Sequence, residues 1–274
     1  QELVPTAPTL VGAHDASGLG AGGVWFPDAS AVPRRSRVVS LTKTGSVRRH
    51  CLTARRPILW RVVFPKNIRD RLVTFDNPAG DINNSDLELA GSLFQQECAA
   101  QCFDIRERAT KDSTDNLATM HWTRKGSTTA AGPPAKLLRV ASIHQRHHRY
   151  LNLKDCLEGK RNTMADDSSR LVTLTPAQLL THFASTYPQP EQWALWTPTK
   201  QFVSAVITAL LKRTSPPASF LLVPPPPMRA GPAGSLFAPS QGWDRPIQRS
   251  NDPFRLPKSS CSSAAGGTTH PEVT

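Results

Sequence analysis

Four acidic residues in the first 170 positions stand where elements are expected to begin or end. They are Asp15 in "TLVGAHDAS", Glu88 in "NNSDLELAG", Asp115 in "STDN" and Asp166 in "NTMADDSSR". Carboxylates so placed can cap a helix, accept hydrogen bonds from a turn, or offer hard oxygen ligands to a divalent cation. Asp15 asks the sharpest question, because a carboxylate at the end of an apolar strand is costly unless it is hydrogen-bonded or metal-bound. Each acid also has an ordinary explanation. The glycines after Asp15 can donate to it, and Ser85-x-x-Glu88 has the form of a capping box. Asp115 and Asp166 suit caps or first helical turns, where the dipole favours negative charge. Asp86 and Asp167 are neighbours that compete for the roles of Glu88 and Asp166.

The stretch "DASGLGAGGVWF" (15–26) satisfies G-x-G-x-x-G from Gly18 to Gly23. A dinucleotide-binding loop needs a helix straight after the glycines and an acid about 20 residues further on. Here Val24-Trp25-Phe26-Pro27 is strand-like, and no acid lies between Asp28 and Asp70. No nucleotide cofactor is expected. The glycines read instead as a tight turn between antiparallel strands, using positive φ and absent side chains.

The elements that must position the acids follow from apolar patterning. Residues 9–26 predict strand, turn and strand, and 58–65 and 71–77 predict two more strands. Residues 82–101 form the clearest helix, apolar over much of its circumference. A strand is expected at 102–109, a helix or loop from the polar cap of "STDN", and an amphipathic helix at 135–150. A strand or strand-like loop at 150–159 and a helix at 162–170 complete an α/β domain over residues 1–172. The segment 27–57 carries Arg34, Arg35, Arg37, Lys43, Arg48, Arg49, Arg55 and Arg56 against Asp28 alone. It predicts an exposed, mobile basic insertion. Beyond it, 173–215 reads as a helical connector, with Thr175 and Pro176 starting one helix and 199–215 forming another. Residues 216–274, rich in Pro, Ser and Gly, read as linker or disordered tail.

The totals narrow the partners. The chain of 274 residues has a formal net charge of +12, which favours a polyanion, nucleic acid first. No apolar run has the length of a membrane span, so no membrane partner is expected. Five scattered cysteines read as reduced intracellular thiols. A chain opening on Gln1 rather than Met is expected to be a piece of a longer one. The histidines of "HQRHHRY" (144–150) read as a solvated face, and His147 and His148 are not expected to be zinc ligands.

Taken in order, "DASGLGAGG", "NNSDLELAG", "STDN" and "NTMADDSSR" resemble the four motifs of the ribonuclease H domain that follows reverse transcriptase in retroelements. "LELAG", "TDN" and "HRY" look most like the variety in DIRS-type, tyrosine-recombinase elements. The resemblance spans about residues 10–170. It implies an RNase H-like fold, a five-stranded mixed sheet flanked by helices, with Asp15, Glu88, Asp115 and Asp166 converging at one end to hold two Mg²⁺, Mn²⁺ being an alternative ion. It implies as substrate the RNA strand of an RNA–DNA hybrid, and as partner an upstream reverse transcriptase domain in the same polyprotein. Recognition of the 2′-OH would fall to Ser17, Gly18 and Asn116, and phosphate tracking to the basic insertion, including Arg34, Arg35, Arg48 and Arg49. The alternative is the same fold with an inactive site, serving as a nucleic-acid-binding scaffold. The family's frequent histidine before the last motif is missing from "KDCLEGKR" (154–161).

Overall fold

The computed structural model describes residues 7–130 and 132–211, all within one compact unit. Its centre is a mixed sheet of eight strands in the order β4-β3-β8-β5-β2-β1-β6-β7. In chain order these are β1 (Leu10–Ala16), β2 (Gly20–Pro27), β3 (Arg37–Leu41), β4 (Val47–Cys51), β5 (Ile58–Val63), β6 (Ala109–Thr114), β7 (Leu151–Cys156) and β8 (Ala194–Trp196). The helices are α1 (Lys66–Arg69), α2 (Asn84–Cys102), α3 (Leu117–Lys125), α4 (Pro133–His148), α5 (Thr163–Arg170), α6 (Pro176–Thr186) and α7 (Lys200–Leu210). β1, β2 and β5 form an antiparallel meander, and β6 and β7 then run parallel to β1.

Helices cover both faces of the meander because β2 presents no side chains at two consecutive positions. A Cβ on Gly22 would lie 2.4 Å from the Ser168 carbonyl carbon of α5, and one on Gly23 would lie 2.6 Å from Gln95 Oε1 of α2. Successive strand residues face opposite ways, so α5 seats on one face and α2 on the other. Gln95 fixes the α2 side. Its Nε2 donates to Val24 O at 3.0 Å, its Oε1 accepts from the Trp60 indole, and its own carbonyl accepts from Trp25 Nε1 at 2.8 Å. α2 is buried almost throughout, while α6 packs Leu179, Leu180 and Phe183 with Val24, Leu59 and Trp193 in a separate apolar cluster.

Several sequence expectations are corrected. The sheet has eight strands, not five. The basic segment 27–57 is not an unstructured insertion: it forms the β3–β4 hairpin, paired to the sheet through β8 by Val38↔Trp196 and Val39↔Leu195. β4 is an edge strand whose Arg48 and Arg49 are exposed, where charge discourages sheet-to-sheet pairing. The hairpin turn is Ser17–Leu19, and Gly20, Gly22 and Gly23 belong to β2 with no positive φ. These glycines serve close packing rather than turn geometry. Residues 71–77 form no strand. They turn, with Asn77 Nδ2 donating to Asp70 O and Leu72 O, and they leave Phe75 99% exposed. The strand expected at 102–109 begins only at Ala109, because α2 runs to Cys102 and Glu107 turns the chain at φ 58°. Segment 173–211, expected as a connector, supplies β8 to the sheet and α7, whose Phe202 packs edge-on to Phe94 of α2. The expected tail, with Lys212 and Arg213, lies outside the described residues.

Gly22→Ala forces a Cβ into the backbone of α5. Overpacking of this kind costs about 1–3 kcal/mol, so chemical denaturation should show a loss of that order. Gly45→Ala provides the contrast: Gly45 has open space around it, and only its φ of 78° opposes a side chain.

Candidate metal centre

β1 delivers Asp15 at its C-terminal end, and α2, α5 and the end of β6 bring the other acids to it. Asp15, Glu88 and Asp115 each offer a carboxylate oxygen, and these oxygens lie within 4.8 Å of one another. Asp15 and Glu88 are buried and Asp115 is exposed, so the group opens to solvent on the Asp115 side. Asp166, in the first turn of α5, lies close enough to raise the Asp15 carboxyl by repulsion but falls outside the group of three. Its Oδ1 instead accepts from Arg170 Nε one turn on.

Each acid is held by a specific bond. Asp15 Oδ2 accepts from Ser169 Oγ at 2.5 Å, which ties β1 to α5. Glu88 Oε1 accepts from the Ala16 backbone N–H at 3.1 Å, while its Oε2 is buried without a hydrogen-bond partner. An orphaned carboxylate oxygen in a like-charged cluster is the donor that a hard cation would satisfy. Three carboxylates here could therefore hold a metal ion.

Burial is the largest cause raising the Glu88 carboxyl well above the usual range, followed by the charge of Asp15. Burial also raises Asp15, with Ser169 opposing the shift and Asp115 and Asp166 adding to it. Behind this group a second buried carboxylate is treated in the opposite way. Asp112 of β6 accepts from His14 Nδ1 at 2.9 Å and from the buried Lys154 ammonium, whose Nζ also reaches Ser92 Oγ at 2.6 Å. Burial would raise Asp112, but His14 and Lys154 hold it below the usual range.

The competing acids are accounted for. The capping box of α2 is formed by Asn83 and Asp86, not by Ser85 and Glu88, which leaves Glu88 for the cluster. Asp167 accepts from Tyr187 Oη and pairs with His182 Nε2, facing α6.

The nucleic-acid candidates divide. Ser17 and Gly18 are half-buried at the hairpin tip, beside Leu72. Asn116 caps α3, its Oδ1 accepting from Thr119 N and its Nδ2 donating to Ser85 Oγ, so its side chain is already engaged. Arg34 turns inward and donates to Ala100 O at 2.6 Å at the end of α2. Arg35, Arg48 and Arg49 are exposed. Ser169 and Arg170 stand in the last motif, where sequence alone assigns them no role, and both support the site. His148 is not on a solvated face: it is 6% exposed and packs against His144.

Among the described residues no helix is long and apolar enough to cross a membrane. The chain matches no protein-family model, no curated protein and no solved structure.

The carboxyl shifts carry a sign. Raised pKa values mean that the metal-free cluster favours stability below the ordinary carboxylate range and loses it as pH rises through the raised values. Glu88→Gln removes the most strongly shifted charge while keeping an acceptor for Ala16. Without divalent ions it should raise Tm by about 2–4 °C at about pH 8, equivalent to about 1 kcal/mol, with little effect at about pH 4. Thermal melts across that range check this.

Proposed function

We propose that this chain is a metal-dependent endonuclease that cuts the RNA strand of RNA–DNA hybrids, the ribonuclease H-like part of a retroelement reverse transcriptase polyprotein. The observation that carries this reading is the meeting of Asp15, Glu88 and Asp115, each from a separate motif, with Asp166 of the fourth motif beside Asp15. Chance would seldom bring acids from positions 15, 88 and 115 to one point through a strand, a helix and a strand end. The consecutive strands β5-β2-β1-β6-β7 support it too, as a mixed five-strand set flanked by α2 and α5 at one end of the larger sheet.

Asp15, Glu88, Asp115 and Asp166 would hold the divalent ions, Mg²⁺ or Mn²⁺, their all-carboxylate chemistry suiting a hard cation. A bound pair of such ions supplies Lewis acidity at the attacking and leaving oxygens of a phosphodiester. The protein's own groups have distinct duties. Ser169 and the Ala16 N–H orient Asp15 and Glu88, so that Glu88 Oε2 is left for ligation. Asp115, exposed, faces the side from which a substrate would enter. Arg170 neutralises Asp166 at the partly exposed side of α5. A hybrid lying across the sheet would reach β4, five strand spacings from β1 and so about 24 Å away, where one of Arg48 and Arg49, which face opposite sides of the strand, would offer a sequence-blind phosphate contact.

A labelled RNA–DNA hybrid with Mg²⁺ tests this. The wild-type chain should cut the RNA strand, and Asp115→Asn, an isosteric change at an exposed position, should lower the rate about a hundredfold or more. Unchanged cleavage by Asp115→Asn would sink the assignment. Hybrid binding with no cleavage by the wild type would point to the inactive scaffold instead. The double change Arg48→Ala with Arg49→Ala should weaken hybrid binding and reduce the slope of log K against log salt by about 0.9 for each phosphate no longer neutralised.

A further inference from the structure

A second group of ligand atoms lies deeper in the fold. Glu97 of α2 and His144 and His148 of α4 bring one carboxylate oxygen and two ring nitrogens within 4.8 Å of one another. Glu97 is nine residues beyond Glu88 on α2, about 13 Å along the helix, so this is a different place from the carboxylate cluster. His144 and His148 are one turn apart and share a face of α4, with ring centroids 4.4 Å apart. The three side chains are 4%, 0% and 6% exposed.

The donor pattern is that of a nitrogen and oxygen site with an outer support already in place. His144 Nε2 faces Glu97 Oε2 at 2.9 Å, and His144 Nδ1 lies 3.0 Å from Tyr150 Oη. Glu97 Oε1 accepts from Gln101 Nε2 at 3.0 Å, which leaves Oε2 directed at the histidines. His148, although buried, makes no hydrogen bond to the described residues, only ring contacts with His144 and His147. An imidazole beside a carboxylate–imidazole pair, all three residues nine-tenths buried, offers the nitrogen and oxygen donors that a cation could take.

We propose that Glu97, His144 and His148 bind one zinc-class divalent ion as a structural clip between α2 and α4, separate from the carboxylate cluster. Imidazole and carboxylate suit Zn²⁺ or Co²⁺ rather than Mg²⁺ or Ca²⁺. Tetrahedral zinc with bonds of about 2.0–2.1 Å sets its ligand atoms about 3.3 Å apart, so the Glu97–His144 pair need open by only about 0.4 Å. His144 then carries its proton on Nδ1, where Tyr150 Oη accepts it, as outer-sphere partners of ligating histidines do. His148 ends α4, where the helix dipole favours positive charge. Arg34 and Arg106 stand near His148 and oppose a cation. Asp104 lies beside Arg34, and Glu97 contributes its charge to the ion. The two guanidiniums favour an anion, hydroxide or chloride, in the fourth position.

The test uses the full chain stripped with chelator and titrated with Zn²⁺. One equivalent should bind, with Tm rising by about 5 °C at a hundredfold excess over Kd, and Mg²⁺ should not reproduce the rise. Co²⁺ should give the visible absorption of a tetrahedral site. His148→Gln should abolish both signals, whereas His147→Ala and Asp115→Asn should keep them. No Zn²⁺-dependent shift in the wild type, or a shift that survives His148→Gln, overturns the proposal. His148→Phe separates folding from ligation: it fills the buried space and should stay folded, with no response to Zn²⁺ or Co²⁺.

Discussion

At Gly22 and Gly23 the β1–β2 hairpin has no side chain on either face, and the backbone of α5 and the Gln95 amide of α2 occupy that space. Everything at the candidate metal centre depends on this double approach. A Cβ at either position would meet protein within 3 Å. α5 could then not bring Ser169 to Asp15, or α2 could not bring Glu88 under the end of β1. Gln95 makes the α2 side specific rather than merely close, because its amide adds a second bond to Val24 O of the β1–β2 ladder and satisfies the buried Trp60 indole donor. The glycines that look like a nucleotide loop are thus the means by which two helices reach the same strand end.

The two faces of β1 carry contrasting electrostatics. His14 points to a carboxylate that the protein neutralises itself, with Lys154 and the imidazole closing around Asp112. Asp15, the next residue, belongs to a cluster in which acids outnumber the nearby cations. Arg170 partly offsets that excess, but it pairs with Asp166 rather than with Asp15 or Glu88. A folded domain that satisfies one buried carboxylate so fully and leaves an oxygen of another bare treats the two sites differently. The first has its charge balanced from inside the molecule, and the second keeps carboxylate oxygens that could take a cation from outside.

Much of this is legible in the sequence where apolar patterning is strong. β1, β5, α2, α4 and α5 follow their expected ranges closely, and the order of the four acids points to the cluster before any geometry. The misses have physical causes. β6 reads "ATKDST", too polar to extend the strand expected at 102–109, yet it pairs with β1 and β7 and carries Asp112 paired inside. The apolar letters of "CFDIRERA" belong to a helix end and a turn. β3 and β4 are short, charged and half-exposed, so arginine drowns their period, and β8 is only three residues long. The Glu97–His144–His148 group leaves one usable signal, the i, i+4 spacing of the histidines. The surrounding basic residues make that face look solvated, and nothing in the sequence tells that Glu97 lies against it.

β8 also orders events in time. Residues 194–196 lie between β3 and β5, so the β3–β4 hairpin, made early in synthesis, has no seat in the sheet until a strand some 140 residues later arrives. Until then the outer edge of β5 is open, with Ile58, Leu59 and Trp60 offering unpaired backbone and apolar side chains. A sheet closed by so distant a segment folds late and is vulnerable to intermolecular pairing while it waits. A nascent chain of this kind is one in which everything from Leu10 to Trp196 needs to leave the ribosome before its outer sheet is safe.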